Sequence, residues 1–300
     1  MASPSDFSVR HALVTGVHGF TGTYVRDELL SAGYEVTGTV LGAPGLGELA
    51  LDITSIEACR RVIDELRPSH IVHLAAISFV AHADALEMYN VNVMGTLNLL
   101  QACIDVGHRP EKILIASSAN VYGNAAGVVN ESVAPGPVNH YATSKIAMEY
   151  LVRTWFDRLP IVVTRPFNYT GRRQTERFLV PKIVAHFVQH RPFIELGNLD
   201  VARDFSDVRT VVRIYRGLLE STASGEVVNI CSGQPRTLLE VVDMVRRSSG
   251  HDLQIRINPA FVRENEVKVL VGSSERLRQI LPDIPAIDFS ETIDWMVSNP

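Results

Sequence analysis

Short apolar segments alternate with longer helical ones through the first half of the chain, and this alternation limits the fold more than any other feature. The segments that read as buried strands are His11–Thr15, Tyr34–Val40, Ile71–Ala75, Lys112–Ser117 and Ile161–Arg165. The segments between them that read as helices are Gly22–Ala32, Ile56–Leu66, Tyr89–Gly107 and Tyr141–Phe156. Continuous apolar strands separated by helices predict an α/β fold, in which helices cover both faces of a parallel sheet.

Composition and charge exclude several classes of protein. Hydrophobic residues make up 46% of the 300 residues and charged residues 20%, which is ordinary globular usage and excludes a disordered chain. A net charge of −5 gives no basic surface for nucleic acid, and no apolar run is long enough to span a membrane. Cys59, Cys103 and Cys231 lack metal-ligand spacing, so we expect no metal site and reduced thiols in a cytoplasmic protein.

A glycine-rich turn follows the first strand. Gly16, Gly19 and Gly22 form a GxxGxxG pattern between that strand and the next helix. Glycines let the backbone approach a pyrophosphate closely, and the helix N-terminus supplies N–H donors and partial positive charge. This position in an alternating α/β chain predicts dinucleotide binding.

A tyrosine and a lysine stand four residues apart in a predicted helix. Tyr141 and Lys145 therefore share one helix face, where the ammonium favours the phenolate. We expect this to lower the pKa of Tyr141 by ~3 units, which makes the phenol a usable acid and base near neutral pH. Ser118 lies in the turn that ends the preceding strand, about twenty residues before the tyrosine.

The combination of TGxxGFxG with this serine, tyrosine and lysine resembles the extended, sugar-nucleotide-modifying branch of the short-chain dehydrogenase/reductase family. The resemblance implies a Rossmann-type doubly wound parallel sheet, a smaller C-terminal α/β substrate lobe, and NADPH or NADH as cofactor. An acid at the end of the second strand favours NAD and an arginine favours NADP. Thr39, Val40 and Leu41 occupy that place, so the preference stays open.

The resemblance also implies roles for individual residues. Ser118, Tyr141 and Lys145 are the catalytic set, in which Ser118 bonds the reacting sugar oxygen. The cofactor residues are Gly16, Gly19, Phe20, Thr21, Gly22, Asp52, Ile53, Leu74, Ala75, Ala76, Tyr141 and Lys145. Asp52 either accepts from the adenine amino group or caps the next helix. The small residues at 74–76 lie near the cofactor or serve close packing, and Asn92 braces backbone near the site.

The substrate residues implied by the resemblance are Ser118, Asn120, Asn168, Lys182, Arg203, Arg263 and Glu266. The segments R203-D-F and R263-E-N-E-V resemble those of GDP-mannose dehydratases and related reductases, and arginine forks suit diphosphate oxygens. The 4,6-dehydratases carry a carboxylate where this chain has Asn120, and an amide cannot transfer that proton. The sequence is most similar to the GDP-6-deoxy-4-keto-D-mannose reductase group, which makes GDP-D-rhamnose.

These observations predict an NAD(P)H-dependent 4-ketoreductase acting on a GDP-sugar. A nucleotide-sugar 4-epimerase, a GDP-mannose 4,6-dehydratase and a catalytically idle dinucleotide sensor are the alternatives. We expect residues 1–165 to form the dinucleotide-binding domain, with 205–232 returning to it, and 166–204 and 233–300 to form the substrate lobe. A homodimer through a four-helix interface is expected from the helices Tyr89–Gly107 and Tyr141–Phe156, with no nucleic acid or membrane partner.

Overall fold

The computed structural model describes residues 10–79, 82–262, 267–283 and 286–298. Its strands, in chain order, are β1 (His11–Thr15), β2 (Glu35–Val40), β3 (Glu48–Ala50), β4 (His70–His73), β5 (Lys112–Ala116), β6 (Gly127–Val129), β7 (Ile161–Pro166), β8 (Asn168–Thr170), β9 (Phe193–Leu196), β10 (Ala202–Asp207), β11 (Glu226–Ile230), β12 (Pro235–Thr237), β13 (Gln254–Ile257) and β14 (Val269–Gly272). Its α-helices are α1 (Phe20–Ser31), α2 (Ile56–Leu66), α3 (Ala85–Tyr89), α4 (Gly95–Asp105), α5 (His140–Arg153), α6 (Leu179–Val188), α7 (Val208–Glu220), α8 (Leu238–Ser249), α9 (Glu275–Ile280) and α10 (Phe289–Ser298).

The largest sheet in the described part of the chain has seven strands in the order β11–β7–β5–β4–β1–β2–β3. The pairs β1–β2, β1–β4, β4–β5 and β2–β3 are parallel, with Val14 opposite both Gly38 and Val72. The chain winds outward from β1 in both directions, which is the doubly wound order of the Rossmann fold. The predicted fold class is therefore confirmed.

Two compact units can be distinguished by their internal contacts. The first contains the residues up to Ala116, Ser144–Val163 and Tyr215–Glu226, and the second contains Ser117–Thr143, Thr164–Ile214 and the residues from Val227 on. The chain passes from one unit to the other inside β7, α5, α7 and β11. The functional division into a dinucleotide-binding domain and a substrate lobe stays a prediction.

The second unit has its own sheets and its own hydrophobic core. β12, β10, β14 and β6 pair in that order, β8 pairs with β10, and β9 pairs with β13. Helices α6, α8 and α10 bury apolar side chains against one another, with Phe187, Val241 and Ile293 fully or almost fully buried. A continuous apolar core of this kind fixes the strands and turns that carry the polar residues of the unit.

Two local predictions need correction. The helix expected at Tyr89–Gly107 is divided, because a π-helical turn at Asn90–Met94 separates α3 from α4. The suggestion that Asp52 caps α2 is wrong, since the N-cap is Ser55, whose side chain accepts from the Ala58 N–H. Asp52 instead accepts from the N–H and the hydroxyl of Thr54 and so folds the turn before the helix.

A buried chain of hydrogen bonds links β1, β4 and α4 in the first unit. The hydroxyl of Thr15 accepts from the N–H groups of Leu74 and Ala75 at 3.1 Å each, and it lies 2.8 Å from Nδ1 of His73. Nε2 of His73 lies 3.0 Å from the Thr96 hydroxyl, which donates to the carbonyl of Asn92. Each hydroxyl has one proton. Thr15 accepts from two N–H groups and therefore donates its proton to Nδ1 of His73. Thr96 gives its proton to Asn92 and therefore accepts from Nε2 of His73.

Asn92 extends this chain to helix α5. Its amide oxygen accepts from the Ile77 N–H at 2.8 Å, and its amide nitrogen donates to the Ile77 carbonyl and to the Ser144 hydroxyl. Ser144 precedes Lys145 on α5. The backbone-bracing contact expected of Asn92 is thus observed, and it is made from the π-helical turn.

The neutral state of His73 predicts a pH dependence of stability. His73 is 3% exposed, and burial together with the charge of Lys145 lowers its pKa from 6.5 to about 3. Between these values the unfolded chain binds a proton that the folded chain does not, so the free energy of unfolding falls as pH decreases. The loss reaches at most about 5 kcal/mol at the acid end of this window.

His73→Gln keeps a donor and an acceptor but cannot titrate. Urea unfolding measured from pH 5 to 8 should therefore give a shallower dependence on pH for this variant than for the wild type. His190→Gln, at an exposed ring in the second unit, is the control and should keep the wild-type slope. Equal slopes for wild type and His73→Gln would show that His73 does not bind its proton differently in the folded state.

Candidate active site

The glycine turn is shaped by packing at two of its three glycines. Gly16 has a φ of +71°, and a Cβ there would lie 3.0 Å from the backbone of Ala75. A Cβ at Gly22 would lie 2.3 Å from the Gly16 carbonyl oxygen. Both positions exclude a side chain because β1, α1 and the end of β4 pass within contact distance of one another.

Gly19 differs from the other two. Apart from its two chain neighbours, the one described group within 4 Å of a Cβ placed there is the Gly16 carbonyl oxygen, at 3.2 Å. Gly19 is the N-cap of α1, no side chain caps this helix, and no acidic residue lies in its first turn, which contains Phe20 and Thr21. An uncapped helix start without a carboxylate is suited to an anion, as the sequence predicted for these residues.

The other predicted cofactor residues of the first unit surround the same strand ends. Leu74 and Ala75 follow β4 and are held by Thr15, and Ala76 is half-buried beside them. Ile53 is buried against α4, where a Cβ on Gly95 would lie 2.7 Å from its side chain. These residues therefore have packing roles, which leaves their cofactor roles as predictions.

Lys145 is buried in the first unit with a backbone partner. Its side chain donates to the Ala116 carbonyl at 2.8 Å, and the residue is 6% exposed. Burial lowers the pKa of Lys145 to about 8, while the charge of Glu149 acts in the opposite direction. The ammonium is thus positioned at the end of β5, one helical turn from Tyr141 along α5.

Within the second unit, Ser118, Asn120 and Tyr141 are hydrogen-bonded together. The backbone N–H and the side-chain amide of Asn120 both donate to the Ser118 hydroxyl oxygen, at 3.2 and 3.1 Å. Ser118 in turn bonds the Tyr141 hydroxyl. Because Ser118 accepts two bonds from Asn120, its single proton is left for Tyr141 or for a ligand oxygen.

The pKa predicted for Tyr141 is wrong in direction. Burial raises the pKa of this phenol to about 12, the hydrogen bond from Ser118 lowers it by less, and Tyr169 adds to the increase. Tyr141 is 8% exposed, and desolvation disfavours the phenolate more strongly than its neighbours favour it. Tyr141 is therefore a protonated donor at neutral pH.

A second buried network supports the turn that carries Ser118. The turn Ala119–Tyr122 is 3-10 helical, and the Tyr122 hydroxyl donates to the Asn229 amide oxygen at 2.7 Å. Arg165, 1% exposed, donates to the same hydroxyl at 3.0 Å, and its guanidinium lies 4.9 Å from the ring centre of Tyr122. The sequence analysis placed Arg165 at the end of a predicted strand and missed this supporting role.

The predicted substrate residues bond to three different places in the second unit. Asn168 donates to the Asp204 carbonyl, and Arg203 donates to the Val267 carbonyl. Lys182 donates to the Glu195 carbonyl, and its ammonium lies 4.8 Å from the ring centre of Phe261. The predicted residues Arg263 and Glu266 lie outside the described residues.

Asp204 has a structural role that the sequence analysis also missed. Its buried carboxylate accepts from the N–H and hydroxyl of Ser232, from the Gly233 N–H and from the Gly272 N–H. Burial raises the pKa of Asp204 although these bonds oppose the change. The middle residue of the R203-D-F segment thus joins β10 to the loop that follows β11 and to the last residue of β14.

The comparisons with known proteins identify the family. The NAD dependent epimerase/dehydratase family matches residues 12–231. The chain belongs to this family. Its members are NAD(P)-dependent enzymes, so the predicted nicotinamide cofactor and the predicted relationship to extended short-chain dehydrogenases are confirmed.

Two curated relatives span almost the full length of this family member. A protein of Aggregatibacter actinomycetemcomitans named GDP-6-deoxy-D-talose 4-dehydrogenase is 35% identical over 273 residues, which is 90% of each chain. A protein of Pseudomonas aeruginosa named GDP-6-deoxy-D-mannose reductase is 30% identical over 298 residues, which is 95% of each chain.

Two solved structures share the fold. One from Burkholderia cenocepacia J2315, provisionally named an epimerase, is 47% identical with a TM-score of 0.92 and covers 96% of this chain and 97% of its own. RMD from Pseudomonas aeruginosa, complexed with NADPH, is 28% identical with a TM-score of 0.85 and covers 97% of this chain and 98% of its own.

The first unit of this epimerase/dehydratase family member fits a nicotinamide dinucleotide. The turn at Gly16–Gly22 excludes side chains at two positions and leaves Gly19 open for close approach, and the start of α1 supplies N–H donors for the pyrophosphate. Lys145 supplies a buried ammonium at the end of β5.

In the described part of the chain, no helix has the length and apolar character needed to cross a membrane.

The contrast between Gly19 and Gly22 gives a prediction about cofactor binding. Gly22→Ala places a methyl group against the Gly16 carbonyl and should destabilise the protein by ~1–3 kcal/mol. Gly19→Ala meets one backbone oxygen at 3.2 Å, so it should lower the melting temperature less than Gly22→Ala does, yet weaken NAD(P)H binding. Thermal unfolding and fluorescence titration with the cofactor test both. Unchanged cofactor affinity in Gly19→Ala would contradict a pyrophosphate site at this turn.

Proposed function

We propose that the chain reduces the 4-keto group of GDP-4-keto-6-deoxy-D-mannose with NAD(P)H and forms GDP-D-rhamnose. The observation that carries this proposal is the set formed by Tyr141, Ser118 and Asn120, which offers a proton donor and neutral hydrogen bonds. When bound, the reduced nicotinamide supplies the hydride.

Tyr141 is the proton donor in this proposal. Its raised pKa keeps the phenol protonated at neutral pH, so a proton is available for the oxygen that becomes negative at carbon 4. Ser118 directs its own proton to the Tyr141 oxygen or to the sugar oxygen, because Asn120 already donates two hydrogen bonds to the Ser118 hydroxyl. Lys145, with a pKa of about 8, remains mostly charged at pH 7 and favours the transfer electrostatically.

Asn120 argues against dehydration of the sugar. Elimination of the 6-hydroxyl needs a group that takes up and delivers a proton, and an amide does neither at physiological pH. A carboxylate at this position would also accept the proton of Ser118 and turn that hydroxyl away from Tyr141. With the amide, this hydrogen bond runs in the other direction: Asn120 donates and the Ser118 hydroxyl accepts.

The names of the two curated relatives support the same ketone as substrate. 6-Deoxy-D-talose and 6-deoxy-D-mannose differ only in configuration at carbon 4, and oxidation at that carbon gives one compound from both. Both relatives therefore support the same 4-keto substrate, although their names imply different products. Reduction to GDP-6-deoxy-D-talose is the second candidate, favoured by the relative that is 35% identical.

The nucleotide contacts are proposed from residues on both sides of Arg263–Glu266. Lys182 contacts Phe261, which precedes this segment, and Arg203 contacts Val267, which follows it. Cationic side chains suit diphosphate oxygens, and we propose Lys182 and Arg203 for this role. Asn168, exposed on β8, is the further polar contact that we propose for the diphosphate.

A homodimer belongs to the same proposal. Met94 in the π-helical turn and Tyr150 on α5 are 45% and 55% exposed, and both lie in the segments expected to form the interface. Leu86 on α3, just before the first of these segments, is 82% exposed. Large exposed apolar side chains on adjacent helical segments are typical of an association surface.

The cytoplasm remains our proposed location, with the three cysteines buried as free thiols.

The direct test is incubation with GDP-4-keto-6-deoxy-D-mannose and NADH or NADPH. We expect reduced cofactor to be consumed in a one-to-one ratio with the ketone. NMR should show a large coupling between the sugar protons H3 and H4, because these protons are trans-diaxial in GDP-D-rhamnose. A small coupling would identify GDP-6-deoxy-D-talose and select the second candidate.

Two results would contradict ketone reduction itself. Conversion of a nucleotide sugar to its 4-epimer with no net change in reduced cofactor would identify an epimerase. Formation of the 4-keto-6-deoxy sugar from GDP-mannose and oxidised cofactor would identify a dehydratase, and the interpretation of Asn120 would then be wrong.

Tyr141→Phe tests the proton donor. The substitution keeps the ring and removes the hydroxyl, so ketone reduction should slow by ~10²–10⁴-fold while cofactor affinity stays nearly unchanged. Tyr150→Phe on the same helix, at a residue 55% exposed, is the matched control and should reduce the ketone at the wild-type rate. A Tyr141→Phe enzyme with near-wild-type turnover would remove Tyr141 from the mechanism.

A further inference from the structure

The end of the second strand leaves cofactor selectivity unexplained. In dinucleotide-binding folds, an acidic residue near this place bonds the ribose 2′-hydroxyl of NAD, whereas an arginine accommodates the 2′-phosphate of NADP. Here β2 ends at Thr39 and Val40, and the acidic residue within the strand is Glu35, at the opposite end. RMD, which is 28% identical, binds NADPH, so selectivity has to be decided from this chain's own residues.

The neighbouring strand supplies a carboxylate. Glu48, the first residue of β3, is paired in register with Gly38 of β2. Its carboxylate lies 2.6 Å from Nε2 of His18 and accepts from the Gly45 N–H at 2.9 Å. The side chain is 10% exposed, and these bonds hold the pKa of Glu48 below its usual range.

His18 places this carboxylate beside the glycine turn. It stands between Val17 and Gly19, and the Val17 N–H donates to the Thr39 carbonyl at 3.4 Å. A Cβ on Gly38 would lie 2.5 Å from the Val17 side chain, so β2 passes directly under the turn. The turn, the end of β2 and the start of β3 therefore meet at one place in the first unit.

We propose that Glu48 replaces the missing strand-end acid and that the Glu48–His18 pair selects NADH over NADPH. The pair is neutral if the imidazole is protonated and negative if it is not. In neither case does it offer net positive charge to a 2′-phosphate. Arg26, the cation that also acts on Glu48, is engaged by Asp27 at 3.1 Å.

The inference concerns cofactor binding and needs no sugar substrate, so it can fail while the proposed reaction stands, and the reverse also holds. Dissociation constants of NADH and NADPH are measured by cofactor fluorescence for the wild type and for Glu48→Gln at equal ionic strength. Glu35→Gln removes the same charge from the other end of β2 and is the matched control.

We expect the wild type to bind NADH at least about tenfold more tightly than NADPH, since juxtaposed like charges are strongly disfavoured. Glu48→Gln should bind NADPH more tightly and reduce this preference by about tenfold, because His18 is then free to meet the phosphate. Glu35→Gln should keep the wild-type ratio. Retained NADH binding shows that each variant is folded.

His18→Gln provides an independent arm, which does not depend on the folding of Glu48→Gln. It keeps the carboxylate and should keep the preference for NADH. A wild type that prefers NADPH, an unchanged ratio in Glu48→Gln, or loss of the preference in His18→Gln would each overturn the proposal.

Discussion

The buried hydrogen bonds from Thr15 through His73 and Thr96 to Asn92 are the constraint on which the first unit depends. They join the strand before the glycine turn to the strand end beside it, and then to the π-helical turn that holds α5. The hydroxyls of Thr15 and Thr96 each accept a hydrogen bond on one side and donate their single proton on the other. The direction of every bond in the network is therefore fixed. His73 has to remain neutral for the sequence of bonds to close, and its burial ensures this.

The same physical effect sets the chemistry of the two titrating groups on α5. Burial raises the pKa of Tyr141 to about 12 and lowers that of Lys145 to about 8, because a desolvated site favours the neutral form of either group. At neutral pH the tyrosine therefore keeps its proton while the lysine keeps most of its charge. That combination suits donation of a proton to a developing alkoxide, the step that ketone reduction requires. Asn120 complements it by donating to Ser118, so that the Ser118 proton is directed to the Tyr141 oxygen or to a ligand oxygen.

Periodicity and spacing were enough to predict the parallel sheet, the glycine turn and the position of α2, because those signals are local in sequence. The pKa of Tyr141 was predicted in the wrong direction because its burial and its electrostatic interaction with Tyr169 depend on distant segments. Short strands such as β8 and β12 were missed, since three residues carry no periodic pattern. The pair between His18 and Glu48 was missed for a related reason: it exists only because β3 lies beside β2.

The central claim is that hydride is delivered to carbon 4 of a GDP-linked 6-deoxy sugar. The most direct measurement uses NADH or NADPH carrying deuterium at the transferable position of the nicotinamide, together with GDP-4-keto-6-deoxy-D-mannose. Mass spectrometry and NMR of the product should show one deuterium per sugar, located at carbon 4. A product without deuterium, or with deuterium at any other carbon, would contradict the account.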